Sequence, residues 1–125
     1  MKGLPEHVRQ KLLARSTHMS FAKGQLIQQQ GDQAREYWYV ESGTVQIGRF
    51  TPGGRLTLFA VLGAGESFGE LAFIGEFART VDAIAGSDAK LARIGEAEFQ
   101  NVIQSEPSAA RLLLKTMALT VQESF

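Results

Sequence analysis

Two spacings of apolar residues divide the chain. Between Gly24 and Gly95, apolar and polar residues alternate in short runs punctuated by glycine; outside that span the apolar spacing is helical. Tyr37, Trp38, Tyr39 and Val40 are aromatic or β-branched, and Ser42-Gly43 turns the chain after them. Residues 44–50 place Val45 and Ile47 on one face, and Pro52-Gly53-Gly54 makes a hairpin loop. Residues 55–62 alternate again, with Leu56, Leu58 and Ala60 opposite Phe59 and Val61. Residues 25–30, 80–85 and 90–94 complete the predicted strands, with turns at Lys23-Gly24, Gly31-Asp32 and Gly86-Ser87-Asp88. Short strands with frequent turns predict an antiparallel sandwich or jelly roll.

The ends predict helices. Residues 4–16 hold only Pro5, which suits a first helical turn. Glu96 and Glu98 open a second helix where its dipole favours negative charge, and Phe99, Val102 and Ile103 form its apolar stripe. Pro107 ends it, and Ser108 is the expected cap of a third. That last helix carries Ala110, Leu114, Met117 and Val121 on one stripe and Leu112, Leu113 and Leu119 elsewhere. Its apolar surface exceeds one contact, so it is expected to face the β domain on one side and a partner helix on the other. It runs to Phe125 without a stop signal, as in a chain cut from a longer protein.

Length and composition narrow the class. At 125 residues, 44% hydrophobic and 21% charged, the chain suits one globular domain. The expected parts are an N-terminal helix within 1–19, a jelly roll over 20–95 and helices over 96–125. With no cysteine there is no disulfide, thiolate metal site or cysteine nucleophile. No apolar run approaches the ~18 residues of a membrane span, and the start lacks the apolar core of a signal peptide, so the expected location is the cytoplasm. The 13 basic and 13 acidic residues balance, which argues against DNA binding by this chain alone. Residues 1–23 carry +4, most simply a solvated helix face.

Several motifs invite chemistry. Gly65-Glu66-Ser67-Phe68-Gly69 has the G-x-S-x-G form of a nucleophile elbow. That motif needs a parallel strand before it, a long helix after it and a histidine downstream, but His7 and His18 both precede Ser67. The two histidines lack a companion for a metal site, so neither catalytic nor metal-ligating residues are expected. More informative is Phe68-Gly69-Glu70-Leu71-Ala72-Phe73-Ile74, a glycine turn leading into one expected helical turn. The first amides of such a turn can cradle an anion. Glu70 at its mouth would repel a phosphate unless it accepts a hydroxyl, as a ribose 2′-OH provides. Nine residues on, Arg79 suits a paired charge-assisted bond to phosphate, and Thr80 adds a hydroxyl. Amides, acid, arginine and hydroxyl together suit a cyclic ribose phosphate.

On these residues the chain resembles the cyclic-nucleotide-binding domain, specifically the sensor half of catabolite-activator-type (Crp/Fnr) bacterial transcription regulators. The resemblance covers about residues 4–125. It rests on Gly31-Asp32, Tyr37 to Val40, Ser42-Gly43, Val45, Gly53 with Arg55, Leu62 with Gly65-Glu66, Phe68 to Ala72, and Pro107. It implies a β jelly roll with flanking helices, no catalysis and a phosphate cassette over 68–80. Cyclic AMP or cyclic GMP would be the regulatory ligand, held by Phe68, Gly69, Glu70, Leu71, Ala72, Arg79 and Thr80. It also implies a homodimer through 108–125, with Ser124 near the base and DNA contacted only through a domain absent here.

One departure bears on the pocket. The family places a valine four residues after the cassette arginine, whereas Val81 follows Arg79 by two. Either the strand starts early and Arg79 still reaches the phosphate, or the pocket has lost its anchor and Arg79 is a surface strand residue. For Glu70 the plainer role is a cap on its own short helix. Neither Arg79 nor Glu70 is expected to be needed for the unliganded fold. The readings left open are a cyclic-nucleotide sensor of a transcription regulator, the same fold with a degenerate pocket serving dimerisation or another ligand, and a sensor attached to a channel, transporter or signalling enzyme.

Overall fold

The computed structural model describes residues 4–33, 35–69 and 78–123. In chain order these form α1 (Glu6–Ala14), β1 (Thr17–Phe21), β2 (Leu26–Gln28), β3 (Glu36–Ser42), β4 (Val45–Phe50), β5 (Leu56–Leu62), β6 (Ser67–Phe68), β7 (Asp82–Ala85), β8 (Ala89–Gly95), α2 (Glu96–Ser105) and α3 (Pro107–Glu123). Two four-stranded sheets, ordered β1-β8-β3-β6 and β2-β7-β4-β5, pair antiparallel throughout. Apart from the β4–β5 hairpin, consecutive strands cross between the sheets, and helices flank them: this is a jelly roll.

Two apolar clusters sit on the two faces of the first sheet. The inner one joins Phe21, Trp38, Val40, Val45, Phe68 and Leu91 between the sheets. Phe21 meets the Trp38 ring edge-on at 5.8 Å, and Phe68 stacks on it at 6.4 Å. The outer one joins Val8 and Leu12 of α1, Tyr37 of β3, Ile94 of β8 and Phe99 and Val102 of α2, with Ala109 of α3. Thus Tyr37 and Trp38, neighbours in sequence, serve opposite faces of β3, as the pleat requires. Each fully buried Leu or Phe here stabilises the fold by roughly 1.5–3 kcal/mol.

The N-terminal helix is shorter than expected. It spans Glu6–Ala14, with Pro5 as N-cap, its carbonyl accepting the Val8 and Arg9 amides at 3.1 and 3.0 Å. Residues 17–21, of which 17–19 fall within the span assigned to that helix, form β1 paired with β8. The aromatic and β-branched signal there was too thin beside an adjoining helical pattern. Strand β6 was likewise hidden in a glycine-rich loop. Strand β5 forms as expected but at a sheet edge, where Leu58, Phe59 and Val61 are all about half exposed on both faces. At the other end, Pro107 is the first residue of α3 and Ser108 is not its cap; the Glu106 carbonyl accepts the Ala109 amide at 2.9 Å. Proline at a first helical position lacks only an amide that the helix leaves unpaired anyway.

Glu106 ties the helices together. Its carboxylate accepts Lys11 Nζ at 2.5 Å and faces His7 Nε2 at 3.2 Å, so α1 grips the junction between α2 and α3. On α3, Ala109 is buried and Leu113 packs on the outer cluster, whereas Leu114 and Leu119 are exposed. The core contact therefore lies one residue N-terminal to the expected Ala110–Leu114 stripe. Among the described residues no helix is long and apolar enough to cross a membrane.

Candidate ligand-binding site

The site is built around Arg79. Glycines 31 and 69 flank it from two loops, and its backbone is fixed first: the Gly31 amide donates to the Arg79 carbonyl at 2.9 Å, and the Arg79 amide donates to the Asp32 carbonyl at 2.8 Å. The Gly31-Asp32 turn, itself held by the Gln29 amide on the Asp32 carboxylate at 3.0 Å, thus sets where the side chain starts. The guanidinium then donates from Nη1 to the Gly69 carbonyl and from Nη2 to the Glu36 carbonyl, both at 2.5 Å. The Glu36 carboxylate stands 3.7 Å from the same Nη2. A guanidinium only 3% exposed in its side chain needs such partners, because an unpaired buried charge is costly.

This corrects the reading of Arg79 as a surface strand residue. Strand β7 begins at Asp82, not Thr80, so Arg79 precedes the strand and is buried. The strand does not start early to accommodate the short run before Val81; the chain bends at Val81 instead. It also corrects the expectation that Arg79 is dispensable without ligand, since it satisfies two backbone carbonyls.

Gly69 fits this arrangement through its missing side chain. Its φ is +101°, and a Cβ there would lie 2.9 Å from Arg79 Nη1 and 3.0 Å from the Glu36 carbonyl. Only glycine takes that backbone without strain and lets the guanidinium close in. Phe68, just before it, has its ring in the inner core, so its part is packing. Thr80 is exposed, and its carbonyl accepts Arg49 Nε at 2.9 Å. Phe68, Gly69, Arg79 and Thr80 are therefore brought to one end of the sandwich. Glu70, Leu71 and Ala72, the helical turn expected with them, and Ser124 lie outside the described residues.

Sequence reasoning missed Glu36 and Asp82. Glu36 grips Arg79 through a backbone carbonyl, which no side-chain pattern encodes. Asp82 is 4% exposed; its Oδ1 accepts the Gln30 amide at 2.7 Å and its Oδ2 the Phe50 amide at 2.8 Å. It pins the segment after Arg79 to β4 and to the chain just past β2. An acid inside an otherwise apolar strand was the available signal.

The catalytic look-alike has a structural explanation. The Ser67 hydroxyl lies 2.7 Å from the Tyr37 hydroxyl, beneath the β3–β6 pairing. His18 faces the Glu41 carboxylate at 2.5 Å, and His7 that of Glu106. Among the described residues no group of three or more His, Asp or Glu is placed to hold a metal ion.

The fold is a jelly roll with a buried arginine locked onto the glycine just after β6. Residues 18–106 match the cyclic nucleotide-binding domain, and the chain belongs to that family. It is 31% identical over 104 residues to the cyclic AMP receptor protein of Thermus thermophilus, covering 83% of this chain and 48% of that protein. The crystal structure of the Thermus thermophilus catabolite activator protein superposes with a TM-score of 0.85 at 28% identity, over 98% of this chain and 58% of that one. The sensor domain of the transcriptional regulator DNR from Pseudomonas aeruginosa superposes with a TM-score of 0.82 at 26% identity, over 98% and 83%. The chain spans about half the length of the curated bacterial regulators it matches.

Proposed function

We propose that this chain is the ligand-sensing part of a cytoplasmic bacterial transcription regulator and that it takes up a cyclic nucleotide, cyclic AMP in the first instance. It performs no catalysis: binding is the signal. In this reading the amides from Gly69 to Ala72 meet the cyclic phosphate and Glu70 accepts the ribose 2′-OH. Arg79 and Thr80 neutralise and bond the phosphate, and Ser124 approaches the base. The chain pairs with a second copy through 108–125, and DNA is contacted by a domain outside this chain.

The observation that carries the reading is the lock between the Arg79 guanidinium and the Gly69 carbonyl, inside the stretch that matches the cyclic nucleotide-binding domain. A preset guanidinium beside backbone amides is the electrostatic requirement of a buried phosphate. Isothermal titration with cyclic AMP and cyclic GMP tests it. Saturable one-to-one heat with either nucleotide supports the reading, and the ratio of the two affinities sets base preference. No heat and no thermal shift at millimolar concentrations of both overturns it.

A second reading is favoured by the same residue. Arg79 already holds two backbone carbonyls, so phosphate capture requires the guanidinium to trade or share them. If that exchange is too costly, the pocket is degenerate, and the domain dimerises or senses another ligand.

A further inference from the structure

We propose a second anion site, separate from the cassette, in the cavity walled by Arg15, Arg35 and Arg93, and we assign its ligand as a small multivalent oxyanion of the phosphate or diphosphate type. The cavity, about 270 Å³, lies where the chain leaves α1, enters β1 and β3, and leaves β8. Arg15 is the C-cap of α1, Thr17 the first residue of β1, Arg35 immediately precedes β3, and Arg93 lies near the end of β8. Thr17 and Arg93 are direct partners in the β1–β8 ladder, so a hydroxyl and a guanidinium stand side by side.

The charges are not compensated within the cavity. Two carboxylates also line it, Glu36 and Glu98. Glu36 already faces the Arg79 guanidinium at 3.7 Å, which leaves three guanidinium groups against Glu98. Among the described residues none of the three arginines lies within ion-pair distance of a carboxylate. Arg15 spends Nη1 on the Lys11 carbonyl at 3.2 Å, and Arg35 spends Nε and Nη2 on the Gln33 amide oxygen. The Arg93 side chain makes no hydrogen bond to any described residue. The whole chain has a formal charge of zero, so the three arginines are a local concentration of charge.

Guanidinium forks pair with the oxygens of phosphate, and three of them around one concavity match an anion with several acceptor oxygens better than a single carboxylate. The volume falls below the ~300–1,000 Å³ of pockets for drug-sized ligands, which favours the small anion over a nucleotide.

The test is titration of the chain with pyrophosphate at low ionic strength, followed by calorimetry and by the fluorescence of Trp38, the chain's one tryptophan and the ladder partner of Arg93 on β3. One-to-one binding is expected. Arg93→Gln and Arg35→Gln should each weaken it at least tenfold, and Arg93→Lys, which keeps the charge but not the fork, by less. Lys23→Gln, the same charge loss at the exposed β1–β2 turn, should change it less than twofold. The proposal is overturned if wild type shows no saturable binding. It is also overturned if Arg93→Gln and Arg35→Gln bind like wild type, which would place the anion in the cassette, or if Lys23→Gln weakens binding as much as they do.

Discussion

The Arg79 guanidinium closes onto Gly69, Nη1 to carbonyl at 2.5 Å, over the spot where any other residue would carry a Cβ. A side chain at 69 therefore collides with the guanidinium and also forces an L residue to a φ of +101°. Gly69→Ala should destabilise the domain by about 1–3 kcal/mol, the range for such backbone strain. Part of that loss is steric. In an Arg79→Ala background the additional cost of Gly69→Ala should shrink, leaving the strain alone. A double-mutant cycle by urea unfolding measures the coupling. Simple additivity would show that the two residues do not constrain each other.

Arg79→Ala should itself lower stability without any ligand. It leaves the Gly69 and Glu36 carbonyls without their donor, at about 1–3 kcal/mol for a buried group left unpaired. Water entering the vacated space moves the loss toward the lower end. An unchanged urea midpoint would mean that these bonds are not maintained in solution. Cyclic-nucleotide affinity should fall as well, so titrations of this variant belong at temperatures where it is fully folded.

Much of this was legible in the sequence, and the failures have physical causes. The strand rhythm between Gly24 and Gly95 gave the jelly roll because alternation and turn glycines are local properties. Arg79 was singled out as a candidate anchor, yet its burial was missed, because burial depends on Glu36 at the start of β3 and Gly69 just after β6. Counting residues from Arg79 to Val81 presumed that Arg79 stands at the start of a strand, whereas its backbone is held by the Gly31-Asp32 turn and β7 begins at Asp82. The exposed apolar faces of β5 were also beyond the pattern, since alternation marks a strand without saying whether it lies at an edge.

Asp82 carries two amides from different elements and should be intolerant of its nearest relative. Asp82→Asn keeps one acceptor oxygen and turns an NH₂ toward the Gln30 or Phe50 amide, donor against donor. A loss of about 1–3 kcal/mol is expected by chemical denaturation. A variant as stable as wild type would show that water substitutes for one of the bonds.

Acid should loosen the grip of α1 on the α2–α3 junction. Hydrogen bonds from Lys11 and then His7 hold the Glu106 carboxyl below its ordinary value of 4.5. With the folded-state pKa below that of the unfolded chain, the stabilisation is present above about pH 4.5 and is lost as the pH falls through the lowered value. Glu6, lowered by its bond from Arg9, acts with the same sign, so the informative quantity is the difference between variants. Glu106→Gln should be less stable than wild type at neutral pH and should lose less stability on acidification, the two curves converging as the pH falls through the lowered value. Parallel curves across that window would remove Glu106 from the acid response.

The last prediction concerns self-association through α3. Leu114 is 67% exposed and Leu119 50%, while the same helix already satisfies the core through Ala109 and Leu113. Large apolar side chains exposed on a helix whose inner face is occupied mark a contact surface for another chain. Burying each in a dimer would contribute on the order of 1.5–3 kcal/mol. The wild-type chain should therefore sediment as a concentration-dependent dimer, and Leu114→Glu with Leu119→Glu should shift it to monomer. Since neither leucine is buried in the single chain, monomer unfolding of the variant should change by less than about 1 kcal/mol, as for ordinary surface substitutions. A wild-type chain that stays monomeric at high concentration, or a dimer that survives both substitutions, would move the interface elsewhere; the exposed Leu58, Phe59 and Val61 of β5 are the next surface to alter.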